Sequence, residues 1–119
     1  MMLPPDPAPA LLDDATLGGY FREHDRAPAF EGPDGHPYTV SPEVERTGDL
    51  RAPYQGFLVF PRWADTGIGI VGHVESATLA EGRTEADVMA QLAAMTLFRV
   101  REVLDATVAG GNDDDTPGS

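Results

Sequence analysis

One short segment, residues 55–60, constrains the fold more than any other part of the chain. It reads Gln-Gly-Phe-Leu-Val-Phe, and alternate residues of a β-strand point to opposite faces. Phe57 and Val59 therefore lie on one face, and Leu58 and Phe60 on the other. A strand that is apolar on both faces is typical of the centre of a sheet. Any fold of this 119-residue chain must therefore provide two covers for it.

Short segments on either side of this strand predict an antiparallel sheet. A Pro-Asp-Gly turn at residues 33–35 joins two short apolar segments, which indicates a hairpin over residues 29–38. Residues 38–45 alternate apolar with polar side chains, and their prolines indicate an edge strand. Residues 63–67 fit a hairpin loop with glycine in the left-handed position, and residues 68–75 form the return strand. The sequence thus predicts three or four strands.

Two helices are predicted, one before the sheet and one after it. Leu17 and its neighbours at i+3 and i+4 indicate a short helix over about residues 14–25. Thr84 is a typical N-cap, and apolar residues recur with helical spacing over residues 85–108. We therefore expect an α+β domain, in which a small antiparallel sheet packs against one long C-terminal helix. The short N-terminal helix or a second copy of the chain would cover the other face.

The two termini differ from the body in composition. Residues 1–12 are rich in proline and predict a disordered arm, while residues 109–119 predict a disordered acidic tail. A single α+β domain would occupy residues 13–108. No apolar run is long enough to span a membrane, and the N-terminus lacks the basic and apolar regions of a signal peptide. We therefore expect a cytoplasmic protein that does not bind membranes.

Charge and cysteine content exclude several classes of function. The net charge is −12 with 20 acidic residues and 8 basic ones, all of which are arginine. Only four of the acidic residues lie in the predicted arm and tail, so the body is acidic as well. Binding to nucleic acid depends on clustered positive charge and is not expected. The absence of cysteine excludes disulfides, thiolate nucleophiles and zinc-cysteine sites.

His73 and Glu75 are the best candidates for binding a ligand or a metal ion. They point to the same side of one strand, about 7 Å apart, which suits two metal ligands or an acid–base pair. A third ligand, His36 or His24, would come from elsewhere in the fold. The Gly-x-Gly-x-x-Gly pattern at residues 67–72 lacks the strand-to-helix context of a dinucleotide site. No cofactor and no catalytic residue are predicted.

A second group of residues fits contact with a partner. Phe98 falls among polar positions of the predicted long helix, and arginine and tryptophan are frequent interface anchors. Arg99 falls near the apolar side of the same helix, where it fits an anion contact. The candidate interface residues are Phe98, Trp63, Arg62, Tyr20 and Phe21.

Two segments resemble a known family. Residues 57–61 form a strand that ends in Phe-Pro, and residues 78–86 lead into a helix that starts at Gly-Arg-Thr. This order resembles the HicB-type antitoxin fold over about residues 38–105. The resemblance implies a protein that neutralises a toxin.

The sequence therefore favours a non-enzymatic interaction or regulatory module that binds a protein partner or associates with itself. The motivation is the strand with two apolar faces, together with Phe98 and the lack of an assembled catalytic set. One alternative is a small ligand-binding protein or enzyme that uses His73 and Glu75 with an arginine. The other is a toxin-neutralising protein of the HicB type.

Overall fold

A computed structural model describes residues 15–110 of the chain. The predicted arm and almost all of the predicted tail lie outside these residues. Among the described residues, no helix has the length and apolar composition needed to cross a membrane. The elements, in chain order, are α1 (Leu17–His24), β1 (Ala29–Glu31), β2 (Pro37–Thr39), β3 (Ser41–Arg46), β4 (Tyr54–Trp63), β5 (Ile70–Glu75), β6 (Ala80–Gly82), α2 (Glu85–Ala93) and α3 (Leu97–Ala109).

The sheet is antiparallel throughout, with β4 at its centre as predicted. Val59 pairs with Ser41 of β3 and with Glu75 of β5, so these two strands lie on opposite edges of β4. The β2 strand continues the β3 edge, β6 continues the β5 edge, and β1 pairs with β2. The chain thus has six strands rather than three or four, although they occupy only four rows.

The extra strands arise because the two rows that flank β4 are interrupted. Between β5 and β6 the register against β4 shifts by two residues, since Val59 pairs with Glu75 whereas Gly56 pairs with Ala80. Ser76 lies in this irregular stretch, and its amide donates to the Leu58 carbonyl at 2.9 Å. The predicted return strand ends at residue 75, before this irregularity, so the sequence prediction does not include β6 (Ala80–Gly82).

The prediction of one long C-terminal helix is wrong, because α2 and α3 are separate helices. Thr96 lies between them in extended conformation and caps α3 through its side chain. The Leu97 amide donates to the Ala15 carbonyl, and the Leu17 amide donates to the Met95 carbonyl, both at 2.8 Å. The first amide of a helix has no hydrogen-bond partner within that helix. In α1 and in α3, this amide donates instead to a carbonyl in the segment that precedes the other helix.

All three helices lie on one face of the sheet. Their buried side chains form a single cluster with Leu58 and Phe60 of β4, whereas Phe57, Val59 and Trp63 lie outside that cluster. The N-terminal helix therefore does not cover the second face of the sheet. The prediction that it could serve as that cover is wrong. The buried residues of the cluster are Leu17, Tyr20, Phe30, Tyr38, Val40, Leu58, Phe60, Val74, Ala80, Val88, Leu92, Leu97, Val100, Val103 and Leu104.

Gly18 explains how α1 fits beside α2. A Cβ atom at this position would lie 2.8 Å from Ala93 Cβ and 3.2 Å from the Ala93 carbonyl oxygen. Both distances are shorter than van der Waals contact, and the obstacle includes backbone, which cannot rotate away. Glycine lowers helix propensity, but at position 18 it is needed for close packing of the two helices.

We expect Gly18→Ala to destabilise the fold by about 1–2 kcal/mol, because overpacking outweighs the gain in helix propensity. Urea unfolding of the full chain measures the change. Gly48→Ala is the matched control, since a Cβ there meets nothing within 4 Å and the backbone is not left-handed. The control should leave stability unchanged or slightly higher. Equal effects of the two substitutions would contradict the close contact.

Candidate functional site

The sheet face opposite the helices is not covered by any described element. We call it the open face. Cross-strand partners share a face, so the pairing register assigns its members from the odd positions of β4. They are Ala29 and Glu31 of β1, Pro37 and Thr39 of β2, Ser41, Glu43 and Glu45 of β3, Gln55, Phe57, Val59, Pro61 and Trp63 of β4, Ile70, His73 and Glu75 of β5, and Glu81 of β6.

An apolar stripe runs along the middle of the open face. We define it as Phe57, Val59, Pro61 and Trp63, each of which is half-buried. The indole Nε1 of Trp63 donates a hydrogen bond to Thr39 Oγ1 at 3.0 Å, which fixes the ring against the neighbouring row. The stripe is therefore an ordered apolar surface.

Glutamates flank the apolar stripe on both sides. Glu43 and Glu45 lie on the β3 side, Glu75 and Glu81 on the opposite side, and Glu31 at the outer edge on β1. Two of these carboxylates accept hydrogen bonds from polar neighbours on the same face, since Ser41 Oγ donates to Glu43 at 2.7 Å and Gln55 Nε2 donates to Glu45. The carboxylates of Glu43 and Glu45 are thus held beside the stripe.

No arginine lies at a strand position of the open face in the described part of the chain. Only two arginines occur within the strands, Arg46 and Arg62. Both belong to the helix-covered face, where their guanidinium groups lie 5.5 Å and 5.6 Å from the ring centres of Tyr54 and Tyr38. The open face therefore combines an apolar centre with flanking rows whose charged residues are all acidic, apart from His73.

The structure brings His73 and Glu75 together on the open face. His73 Nε2 lies 3.4 Å from Glu75 Oε2, and both side chains are partly exposed. His36 does not join them, because it lies beside Asp65 of the β4–β5 loop. Its Nδ1 atom is 3.3 Å from Asp65 Oδ1 but makes no hydrogen bond. His24 stacks on Tyr20. Residues 15–110 contain no group of three or more His, Cys, Asp or Glu side chains that could hold a metal ion.

Sequence reasoning missed a polar network beneath the end of β4. The Tyr38 hydroxyl donates to Asp34 Oδ2 at 2.7 Å and accepts from Arg62 Nε at 2.8 Å, while Asp34 Oδ2 lies 3.6 Å from Arg62 Nε. Arg62, expected at an interface, has a side chain that is only 16% exposed. The only signal in the sequence was the Pro-Asp-Gly turn, whose aspartate faces inward.

The network shifts two pKa values. Burial raises the pKa of Asp34, but hydrogen bonds from the Tyr38 hydroxyl and the His36 amide, together with the charges of His36 and Arg62, outweigh it, so that the pKa is lowered overall. Burial is also the main reason that the pKa of Tyr38 is raised. Asp34 is thus held ionised with its acceptors occupied, which favours a structural role in fastening the β1–β2 turn to β4.

The remaining interface candidates lie in different environments. Tyr20 is a core residue with 8% exposure, and Phe21 packs against the core, so neither is a free surface anchor. Phe98 is 52% exposed on α3. Arg99, the candidate for an anion contact, forms an exposed ion pair with Glu102, in which Arg99 Nη1 lies 3.5 Å from Glu102 Oε1.

No catalytic set is assembled among the described residues. The Ser76 hydroxyl donates to the Ala77 carbonyl and accepts from the Leu58 amide, so it has a structural function. The glycine motif of residues 67–72 forms part of the hairpin between β4 and β5, with Gly67 in the predicted left-handed conformation. Searches against protein-family models, curated proteins and solved structures find no match to this chain.

Proposed function

We propose that this chain is a non-enzymatic interaction module that binds a protein partner on the open face, with a cytoplasmic location as the sequence suggests. One observation supports this: a stripe of four apolar side chains runs along a sheet face that no described element covers. Burial of apolar surface contributes about 25 cal/mol per Å². Contiguous apolar patches on small proteins mark interaction sites.

The alternatives have weaker support. A ligand-binding or catalytic role for His73 and Glu75 needs an arginine, and the arginines of the described strands lie on the other face. A toxin-neutralising role still depends on the resemblance of residues 57–61 and 78–86 to HicB-type proteins, which remains a prediction. Phe98 is exposed on α3 and remains a second candidate contact, through which the chain would associate with itself.

Site-specific photocrosslinking in cells tests the proposal. The photoreactive analogue p-benzoylphenylalanine replaces Phe57 on the open face, or Met89 on the exposed side of α2 as the matched control. We expect a discrete adduct with one protein from position 57 and none from position 89. Adding Val59→Arg to the Phe57 variant should abolish the adduct, because binding would then bury a charged side chain in the middle of the apolar stripe.

Three outcomes would contradict this function. Equal adducts from both positions would indicate nonspecific capture, and no adduct from either would leave the open face without a partner. An adduct within the same chain, mapped to residues 1–12 by mass spectrometry, would show that the predicted arm covers the stripe.

A further inference from the structure

We infer that the open face binds a polypeptide segment in which arginine or lysine side chains flank apolar ones. This inference rests on the proposed function and adds the chemistry of the partner. Carboxylates border the apolar stripe on both sides, and Glu43, Glu45 and Glu81 are exposed. The observation that carries the inference is this arrangement, an apolar centre with glutamates in the rows on both sides.

The spacing of the rows suits an extended segment lying along β4. Neighbouring strands are about 4.8 Å apart, so the carboxylates of β3 and β5 begin one strand spacing from the stripe. Apolar side chains of a bound segment would contact Phe57 and Val59. Its longer cationic side chains would reach Glu43 on one side and Glu75 on the other, because Val59 pairs directly with Glu75 and Phe57 with Glu43.

The chain itself does not provide such a segment in its termini. All 8 arginines lie within residues 15–110, and the chain contains no lysine. Residues 1–14 and 111–119 therefore bring no cationic side chain to the open face. They carry further aspartates instead, which the acidic border would repel.

A second copy docked face to face is also disfavoured. Two-fold stacking puts the same surface on both sides of the contact, so the glutamates of one copy would lie against those of the other. The net charge of −12 adds to this repulsion. Charge complementarity therefore selects a different, basic protein.

Trp63 provides a direct probe, because it is the only tryptophan of the chain and lies in the stripe. The full chain is titrated with three tryptophan-free peptides of about ten residues, in which leucine alternates with arginine, glutamine or glutamate. We expect the arginine peptide to change Trp63 emission with an affinity at least about tenfold higher than that of the glutamine peptide, and the glutamate peptide to have no effect. Raising the salt from about 50 mM to about 500 mM should weaken binding several-fold.

Two double variants separate local from overall charge. Glu43→Gln with Glu75→Gln removes the carboxylates nearest the stripe, while Glu23→Gln with Glu85→Gln makes the same change in net charge on the helices. The first should weaken the arginine peptide about fivefold, as expected for two partly exposed ion pairs. The second should change its affinity less than twofold.

The outcomes distinguish this inference from the function on which it rests. If the glutamine peptide binds as tightly as the arginine peptide, or if both double variants have the same affinity, the inference of a cationic partner is wrong. The proposed binding of a protein partner on the open face would then still stand. If no peptide changes Trp63 emission while the photocrosslink from position 57 persists, the inference again fails alone. Failure of both experiments would overturn both proposals. A dimer in sedimentation equilibrium that Val59→Glu dissociates would make a second copy the occupant.

Discussion

Replacing Phe60 with alanine should lower the free energy of unfolding by about 3–5 kcal/mol, which is the range for a large aromatic side chain removed from a close-packed core. The Phe60 side chain is 0% exposed and belongs to the cluster that joins the sheet to all three helices. Its loss would leave a cavity that the neighbouring β-branched side chains Val40 and Val74 cannot refill without strain. Urea unfolding of the full chain measures the difference, provided that the dependence of the unfolding free energy on urea concentration is the same in both proteins.

Phe57→Ala is the matched control for this prediction. The two residues are of the same type, lie in the same strand and differ in the face to which they point. Phe57 is half-buried on the open face. We therefore expect its free energy of unfolding to fall by only about 1 kcal/mol, because the substitution removes only the apolar area that neighbouring side chains already shield from water. If both variants lost the same stability, the two faces would be equally covered in solution, which would contradict the open face.

Those parts of the fold that depend on local chemistry could be predicted from the sequence. The strand with two apolar faces lies at the centre of the sheet, and the turn at residues 33–35 joins β1 to β2 with Gly35 in left-handed conformation. Thr84 caps α2 by accepting a hydrogen bond from the Asp87 amide. Each of these features is determined by residues close together in the chain.

Those parts that depend on tertiary contact could not be predicted. The break between α2 and α3 is stabilised by hydrogen bonds to Ala15 and Leu17, about eighty residues earlier in the chain. Helical spacing of apolar residues continues across the break, so the pattern alone favours one helix. The position of α1 depends on the contact between Gly18 and Ala93, which no local pattern indicates.

The candidate site shows the same division. Period-two alternation places His73 and Glu75 on one side of a strand, and the structure has them 3.4 Å apart. The contact of Asp34 with Arg62 depends instead on the register of β2 against β4, which the sequence does not reveal. The prediction that both faces of β4 have a cover is met on one face only among the described residues, because all three helices pack on the side of Leu58 and Phe60.

Arg62→Met should destabilise the chain by about 2–3 kcal/mol at neutral pH. Methionine preserves much of the side-chain volume but removes the guanidinium, which is a hydrogen-bond donor to the Tyr38 hydroxyl and an ion-pair partner of Asp34. Removal of one member of this partly buried network deprives the other groups of a hydrogen-bond partner. The control is Arg99→Met, whose exposed ion pair with Glu102 should contribute no more than about 0.5 kcal/mol.

The same network predicts how this difference depends on pH. The pKa of Asp34 is lowered in the folded chain from its ordinary value of 3.8, so its carboxylate contributes stability that is fully present above that value. This contribution is lost as the pH falls through the folded pKa, because the protonated acid no longer attracts Arg62. The difference in unfolding free energy between the original chain and Arg62→Met should therefore narrow as the pH falls below 3.8, leaving the part that the hydrogen bond to Tyr38 contributes. Asp34→Asn should flatten the same acid limb, whereas a gap that stays constant from pH 7 to pH 3 would show that Asp34 does not depend on Arg62.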